Sequence, residues 1–298
     1  MPKLALGENG FIFGQPWHDR YEKKQILEFA AEQGFDGIEL HQYYEPYKRG
    51  DESKIRKEYE DYGLEIPCIQ TGGAGGRFSP ISPRKESREK FVEALSGLIE
   101  FAHGLGARVA VLSPPMMLNP EVIMAGYTHE QMVGLYIDAC GQLVETAEKN
   151  DVVMAIEPEP QMLLNGGFIR KPVEDVVELL DKLQSKCVAI NYDTTHIYRL
   201  SKGDPVGYLK ALKGRVGWTH LADNDGSATP YLLSSTHLVF GEGNVDMQAV
   251  MKTLKDTCGH LEWLDVDVWE NPKPFETARE NKRILESILE RISWTNGK

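Results

Sequence analysis

Residues able to do chemistry gather at the ends of short apolar runs. "VVMAIE" ends on Glu157, with Glu159 two residues on, and "VAINYD" ends on Asp193, with His196 three residues on. "VGWTHL" carries His220, with Asp223 and Asp225 beyond it, and "WLDVDVW" carries Asp265 and Asp267, with Glu270 next in line. Earlier, "GIELH" closes on His41. A single carboxylate after an apolar run is ordinarily a helix cap. Consecutive runs ending in Glu, Asp, His and a further acid ask for more. Neighbouring strands lie ~5 Å apart, so side chains at one height converge. Carboxylates brought together this way repel one another unless a cation stands among them. An oxygen-rich set with an imidazole suits Mn2+ first, with Mg2+, Co2+ or Zn2+ as alternatives, at one ion per chain.

The elements that must position these residues alternate along the chain. Strands are expected at 3–6, 37–41, 65–70, 107–113, 152–157, 188–193, 216–221 and 263–269. Between them, apolar residues recur at i, i+3, i+4 and i+7, predicting helices at 21–33, 52–62, 87–105, 128–150, 172–184, 205–214, 246–257 and 275–292. Thr128, with Gln131 three residues later, forms a capping box. This alternation predicts one (β/α)8 TIM barrel over residues 1–298, ahead of a doubly wound sheet. "GGAGG" (72–76) is a weak phosphate-loop candidate because no helix starts directly after it. The longer irregular pieces, 71–84, 114–127, 158–171 and 222–244, all follow strands and belong to one rim of the barrel, the rim that carries chemistry.

Period-two alternation orders the acids of the last strand. Asp265 and Asp267 share a face, with Glu270 of the other parity. Asp267 is nearer the active rim and is the expected ligand. Asp265 sits ~7 Å deeper, where a charge calls for a buried Arg or Lys.

Composition bounds the function. The 298 residues are 41% hydrophobic and 26% charged, enough for a sizeable soluble core. A net charge of -12 repels phosphate backbones and argues against a nucleic-acid partner. Cys68, Cys140, Cys187 and Cys258 are too dispersed for a zinc knuckle or redox pair and read as buried thiols. With no signal-like start and no run of ~20 apolar residues, the expectation is a cytoplasmic protein without a membrane partner.

Several segments together resemble the xylose-isomerase-like TIM barrels, the group of sugar isomerases and epimerases that includes inosose dehydratases and 3-keto-glycoside C-deglycosidases. They are "GFDGIELH" (34–41), "IEPEP" (156–160), "YDTTH" (192–196), "GRVGWTHLADNDG" (214–226), "FGEGNVD" (240–246) and "WLDVDVWENP" (263–272). The resemblance implies a metal held by Glu157, Asp193, His220 and an acid of the last strand, for which Asp267 is the match. It implies that His196 faces substrate oxygens. Two departures stand out: "EPEPQML" replaces the Asn-Arg motif that ketose 3-epimerases carry after strand five, and an Asp takes the place of the usual last Glu. In "FGEGNVD" the glycines suit a tight turn and Asp246 a helix cap.

The implied activity is a metal-dependent sugar isomerase or epimerase working on a keto-sugar or polyol through an enediolate-type intermediate. Glu157, Glu159 and His196 are the proton carriers. His41, Trp17 and Tyr43 contact the substrate, chosen from rim aromatics that also include Tyr44, Trp218 and Trp269. A lyase of the same fold shares that intermediate. A non-catalytic sugar-binding barrel is the alternative of another class, and a homo-oligomer or accessory subunit stays open. His103, His129 and His260 are expected at the surface.

Overall fold

The computed structural model describes residues 1–12, 20–41, 50–71, 78–112, 121, 124–160, 171–229 and 234–294. Eight strands close into a barrel in sequence order, with β8 returning to β1. They are β1 (Lys3–Gly7), β2 (Gly37–His41), β3 (Glu65–Gln70), β4 (Val109–Leu112), β5 (Val153–Ile156), β6 (Val188–Asp193), β7 (Val216–Leu221) and β8 (Trp263–Val266). Every pairing is parallel. The helices are α1 (Asn9–Ile12), α2 (Lys23–Glu32), α3 (Glu52–Glu60), α4 (Lys85–Leu105), α5 (His129–Asn150), α6 (Pro172–Leu183), α7 (Thr194–Leu200), α8 (Pro205–Ala211), α9 (Met247–Cys258) and α10 (Pro274–Arg291). The expected barrel is present. No described helix is long and apolar enough to cross a membrane.

Local chemistry sets the helix limits. α4 buries Phe91, Leu95, Leu98, Phe101 and Leu105 along one stripe and stops at Gly106, whose φ of 86° suits glycine. Each such Leu or Phe contributes about 1.5–3 kcal/mol by leaving water. At α5, Gln131 N–H donates to Thr128 Oγ1 and Thr128 N–H donates to Gln131 Oε1, the capping box expected there. α6, α8 and α10 begin with Pro in their first turn, where its missing N–H costs nothing.

Three strands are shorter than their apolar runs. β4, β5 and β8 stop at Leu112, Ile156 and Val266. The ladder nevertheless continues one step past two of them. Glu157 N–H donates to Leu112 O (3.2 Å) and Asp267 N–H to Leu221 O (3.3 Å). Glu157 and Asp267 are therefore held by their neighbours' backbones although they end no strand.

The barrel interior has two layers. The lower one is apolar: Ala5, Cys68, Val109, Val111, Ala155 and Trp218 form a cluster separate from the larger core between strands and helices. Trp218 is 1% exposed and lies in this layer, which removes it from the candidate rim aromatics. Below it, at the amino-terminal mouth, is a cavity of about 820 Å3 lined by Val109, Val153, Ala189, Gly217, Trp218 and Trp263 among others. The upper layer carries the acids and histidines. The four cysteines are buried and free, as expected.

Candidate metal centre

Asp193 ends β6 and starts α7, and its two oxygens divide the work. Oδ1 accepts from Thr195 N–H (2.7 Å), Thr195 Oγ1 (2.7 Å) and His196 N–H (2.9 Å), capping the helix. Oδ2 faces His196 Nε2 at 3.5 Å, His237 Nε2 at 3.4 Å and His220 Nδ1 at 3.8 Å. The Asp-Thr-Thr-His spacing is thus one helical turn, and α7 is too short to have shown a period in sequence.

His220, on β7, is the hub. Its Nδ1 lies 2.8 Å from Glu157 Oε1 and 3.6 Å from Asp267 Oδ2. Asn191 Nδ2 donates to Glu157 Oε1 (2.9 Å) and lies 2.9 Å from the same His220 Nδ1. Burial opposes charge on the ring, but Glu39 and Glu157 outweigh it and raise His220 well above its usual value, so in the absence of an ion Nδ1 holds a proton toward Glu157. On the other side of the ring, Nε2 meets Glu39 Oε2 at 3.0 Å.

A second histidine, His237, was not anticipated. Its Nδ1 donates to Ser235 O (3.0 Å), leaving Nε2 toward Asp193 Oδ2 and Asp267 Oδ2, each 3.4 Å away. It arrives on the loop after β7, which doubles back through antiparallel bridges Asp223–Leu238 and Ala228–Ser235. Asp223 fixes the base of that loop, accepting from the N–H groups of Asn224, Gly241, Gly243 and Val245. Gly243 is required because a Cβ there would lie 2.4 Å from Asp223 Oδ1. "FGEGNVD" is therefore a structural wrap, and Asp246 caps α9 through Ala249 N–H.

Among the described residues, three groups of side chains could hold an ion: Glu157, Asp193 and His220; Asp193, His237 and Asp267; and, deeper, Glu39, His220 and Asp265. The sequence-derived set Glu157, Asp193, His220 and Asp267 is brought together. Glu270 enters none of these groups; it is buried near Thr229 with a left-handed φ of 50°. Asp265 departs from expectation. It is fully buried, neither carboxylate oxygen has a hydrogen-bond partner, and the charges around it are Glu39, His220, Asp267 and Glu157 rather than an Arg or Lys.

Electrostatics separate the carboxyls. Burial alone would raise Asp193, but His196, His237 and His220 outweigh it and hold the group well below the usual range. Glu157 is likewise lowered, with His220 overcoming burial. Glu159 goes the other way: burial, then Glu157 and Asp193, push it far up, so it keeps its proton. Burial, then Glu39, does the same to Asp265. Burial lowers His196, and burial with the nearby His220 lowers His41 to about 3, so both rings are neutral. His196 Nδ1 is tied to Ser235 Oγ at 2.8 Å. His41 closes β2, its N–H donating to Glu8 Oε1 (2.6 Å). Trp17, Tyr43 and Tyr44 lie outside the described residues. His129 is not at the surface: its side chain is 13% exposed and bonded to Asp175.

The donor set fits a divalent ion. Buried carboxylate oxygens and imidazole nitrogens face one another at 2.8–3.8 Å, and His237 has its Nε2 directed at two of those oxygens. Such a set is repulsive without a positive charge among its members.

Known proteins resemble this chain throughout. The family described as xylose isomerase-like TIM barrel matches residues 27–288. The chain belongs to this family. Among relatives, an uncharacterized protein of Methanocaldococcus jannaschii is 25% identical over 90% of this chain and 85% of its own. A Caenorhabditis elegans protein provisionally named a hydroxypyruvate isomerase is 24% identical over 72% of this chain and 78% of its own. Similar solved structures include a D-tagatose 3-epimerase-like protein (TM-score 0.74, 21% identity, 98% of both chains). The IolI protein with a bound zinc atom follows (TM-score 0.71, 16% identity, 97% of this chain and 99% of that one). AsbF of Bacillus anthracis, described as a probable 3-DHS dehydratase, has a TM-score of 0.68 at 18% identity, covering 95% and 98%. At these identities the solved structures of the xylose isomerase-like family speak for the fold.

Proposed function

We propose that this chain is a divalent-metal-dependent sugar isomerase or epimerase acting on a keto-sugar or polyol through an enediolate-type intermediate. The observation that carries this is His220 Nδ1 lying 2.8, 3.6 and 3.8 Å from oxygens of Glu157, Asp267 and Asp193. Those four residues hold the ion, Mn2+ in the first instance, with His237 adjoining. A bound divalent ion supplies Lewis acidity, which polarises a substrate carbonyl and acidifies the neighbouring C–H. His196, neutral and oriented by Ser235, is placed to accept that proton, and Glu157 is the alternative acceptor. Glu159 keeps its own proton and is suited to give one back. His41, neutral at the end of β2, is suited to hydrogen-bond a substrate hydroxyl. Trp17 and Tyr43 remain the stacking candidates for the sugar face.

A second reading, elimination by the same intermediate, is favoured by one feature. A carboxyl that retains its proton, Glu159, is what a departing hydroxyl or alkoxide requires. The test for both is elemental analysis together with incubation on 3-keto-sugars in D2O. We expect about one ion per chain, deuterium entering beside the carbonyl, and loss of that exchange with chelator. The product then separates epimer, isomer and elimination. Full exchange by ion-free protein would end the metal reading. His196→Ala should keep the ion and lose exchange; a variant that loses the ion instead makes His196 a ligand.

A further inference from the structure

A buried polar pair inside the barrel joins residues 181 apart in sequence: Glu39 on β2 and His220 on β7. β2 and β7 are not neighbours, since β1 and β8 lie between them. Glu39 reaches across the interior, and both its oxygens lie against one imidazole nitrogen, Oε1 at 3.1 Å and Oε2 at 3.0 Å from His220 Nε2. Both side chains are 1% exposed. Among the described residues no Lys or Arg forms an ion pair with Glu39.

A glycine stands beside Glu39 on β1 and leaves room for the acids of β8. Glu39 is in register with Gly7 of β1, and a Cβ on Gly7 would lie 3.1 Å from Asp265 Oδ2 and 3.7 Å from Asp267 Oδ1. The β2–β3 register also shifts between Gly37 and Glu39, a bulge of the kind that re-aims a side chain.

The two ring nitrogens of His220 have different company. Nδ1 lies 2.9 Å from Asn191 Nδ2 and faces Glu157, Asp267 and Asp193. Nε2 meets only an acceptor. Glu39, which also has the Cys68 thiol as a hydrogen-bonding neighbour, binds Nε2 as N–H, so Nδ1 is the ring nitrogen left to a ligand. The other tautomer would put a lone pair against Glu39, and a flipped ring would put C–H groups in both places and lose both sets of contacts.

We propose that Glu39 is a positioning residue, fixing the Nε2–H tautomer and the ring orientation of His220 so that Nδ1 serves the metal centre. This rests on the metal reading above. Carboxylate partners of ligating histidines act in this way, and their loss typically weakens metal binding 10–100-fold. The group Glu39, His220 and Asp265 offers a rival role, a second ion in the lower position.

The test compares wild type, Glu39→Gln and Glu39→Asp, using Mn2+ or Zn2+ alone. Ion stoichiometry and affinity come from calorimetry, and thermal melting monitors the fold. Nuclear magnetic resonance follows the proton on His220 Nε2 with and without Zn2+. We expect one ion per chain and, in both states of the wild type, a far-downfield, slowly exchanging Nε2 proton. Glu39→Gln should move that proton upfield and weaken the ion about 10–100-fold. Glu39→Asp, which keeps the charge, should recover part of both. Unchanged affinity with an unchanged Nε2 proton in a folded Glu39→Gln protein overturns the proposal. Two ions per chain, one of them lost with Glu39, overturns it in favour of the rival. Wild type that takes up no ion overturns the metal reading, and with it the proposed service to the ion. In that case the Nε2 proton of metal-free protein still decides whether Glu39 sets the ring.

Discussion

The two layers of the barrel interior are built from the same strands and could hardly differ more. Along β5 the inward residues run Val153, Ala155, then Glu157; along β6, Ala189, Asn191, Asp193; from β8, Trp263, Asp265, Asp267. Two steps of a period-two pattern lead from an apolar floor to a charged ceiling. The floor is closed by Trp218 and the ceiling by His220, again two residues apart. The difference teaches that position along the barrel axis decides whether an inward residue packs or reacts. Asp265 marks the boundary: it is buried as deeply as the floor residues and has no hydrogen-bond partner for its carboxylate.

The sharpest way to break this contrast is at Asp193, which serves both the fold and the site. Asp193→Ala should abolish measurable ion binding and, by removing a helix cap, cost about 0.5–2 kcal/mol of stability. Asp193→Asn should also lose the ion, since the charge is gone, yet melt close to wild type, because Asn caps as well as Asp. Melting and calorimetry on the two variants separate the roles of Oδ1 and Oδ2. Equal melting losses would mean that the capping bonds to Thr195 and His196 do not matter.

The floor should respond in the opposite manner. Trp218→Ala is expected to cost about 3–5 kcal/mol of stability while leaving ion affinity within about twofold, since the indole belongs to the apolar cluster with Ala5, Cys68, Val109, Val111 and Ala155 and is a member of none of the ion-binding groups. Denaturant unfolding beside an ion titration checks this. A large fall in affinity would show that the layers are coupled.

The mildest probe is pH. Burial opposes charge on His237, but Asp267 and Asp193 outweigh it and raise the group to about 8 from 6.5. A raised folded value stabilises fully below the unfolded one and is lost as pH climbs through the folded one. Ion-free protein should therefore lose melting temperature between pH 6.5 and about 8, and His237→Gln should flatten that interval. An equal slope in both proteins would assign the loss to other groups.

The barrel was legible because eight apolar runs alternate with eight amphipathic ones, and β2, β3, β6 and β7 have the limits the sequence suggests. Strand-end acids and His220 were legible for the same reason, since a polar residue closing an apolar run is conspicuous. Glu39 was hidden inside "GIELH", where it reads as the solvent-facing member of an alternation but is 1% exposed. Asn191 was hidden likewise. His237 lay beyond reach because a loop brings it back, and loop geometry rests on side-chain wraps such as Asp223 that no periodicity announces. The lysine or arginine expected beneath Asp265 is absent because its charged neighbours are the ceiling itself.

That wrap has a consequence for how such a barrel can diversify. Asp223 gathers four backbone N–H groups where the loop leaves and re-enters the barrel. Gly226 to Thr229 and Ser234 lie outside that clasp, while His237 lies just inside it, beside the Asp223–Leu238 bridge. Residues of the outer segment can change in number or kind without shifting His237. The outer part of the loop and the anchoring of His237 are thereby separated, so the one can vary while the other stays in place.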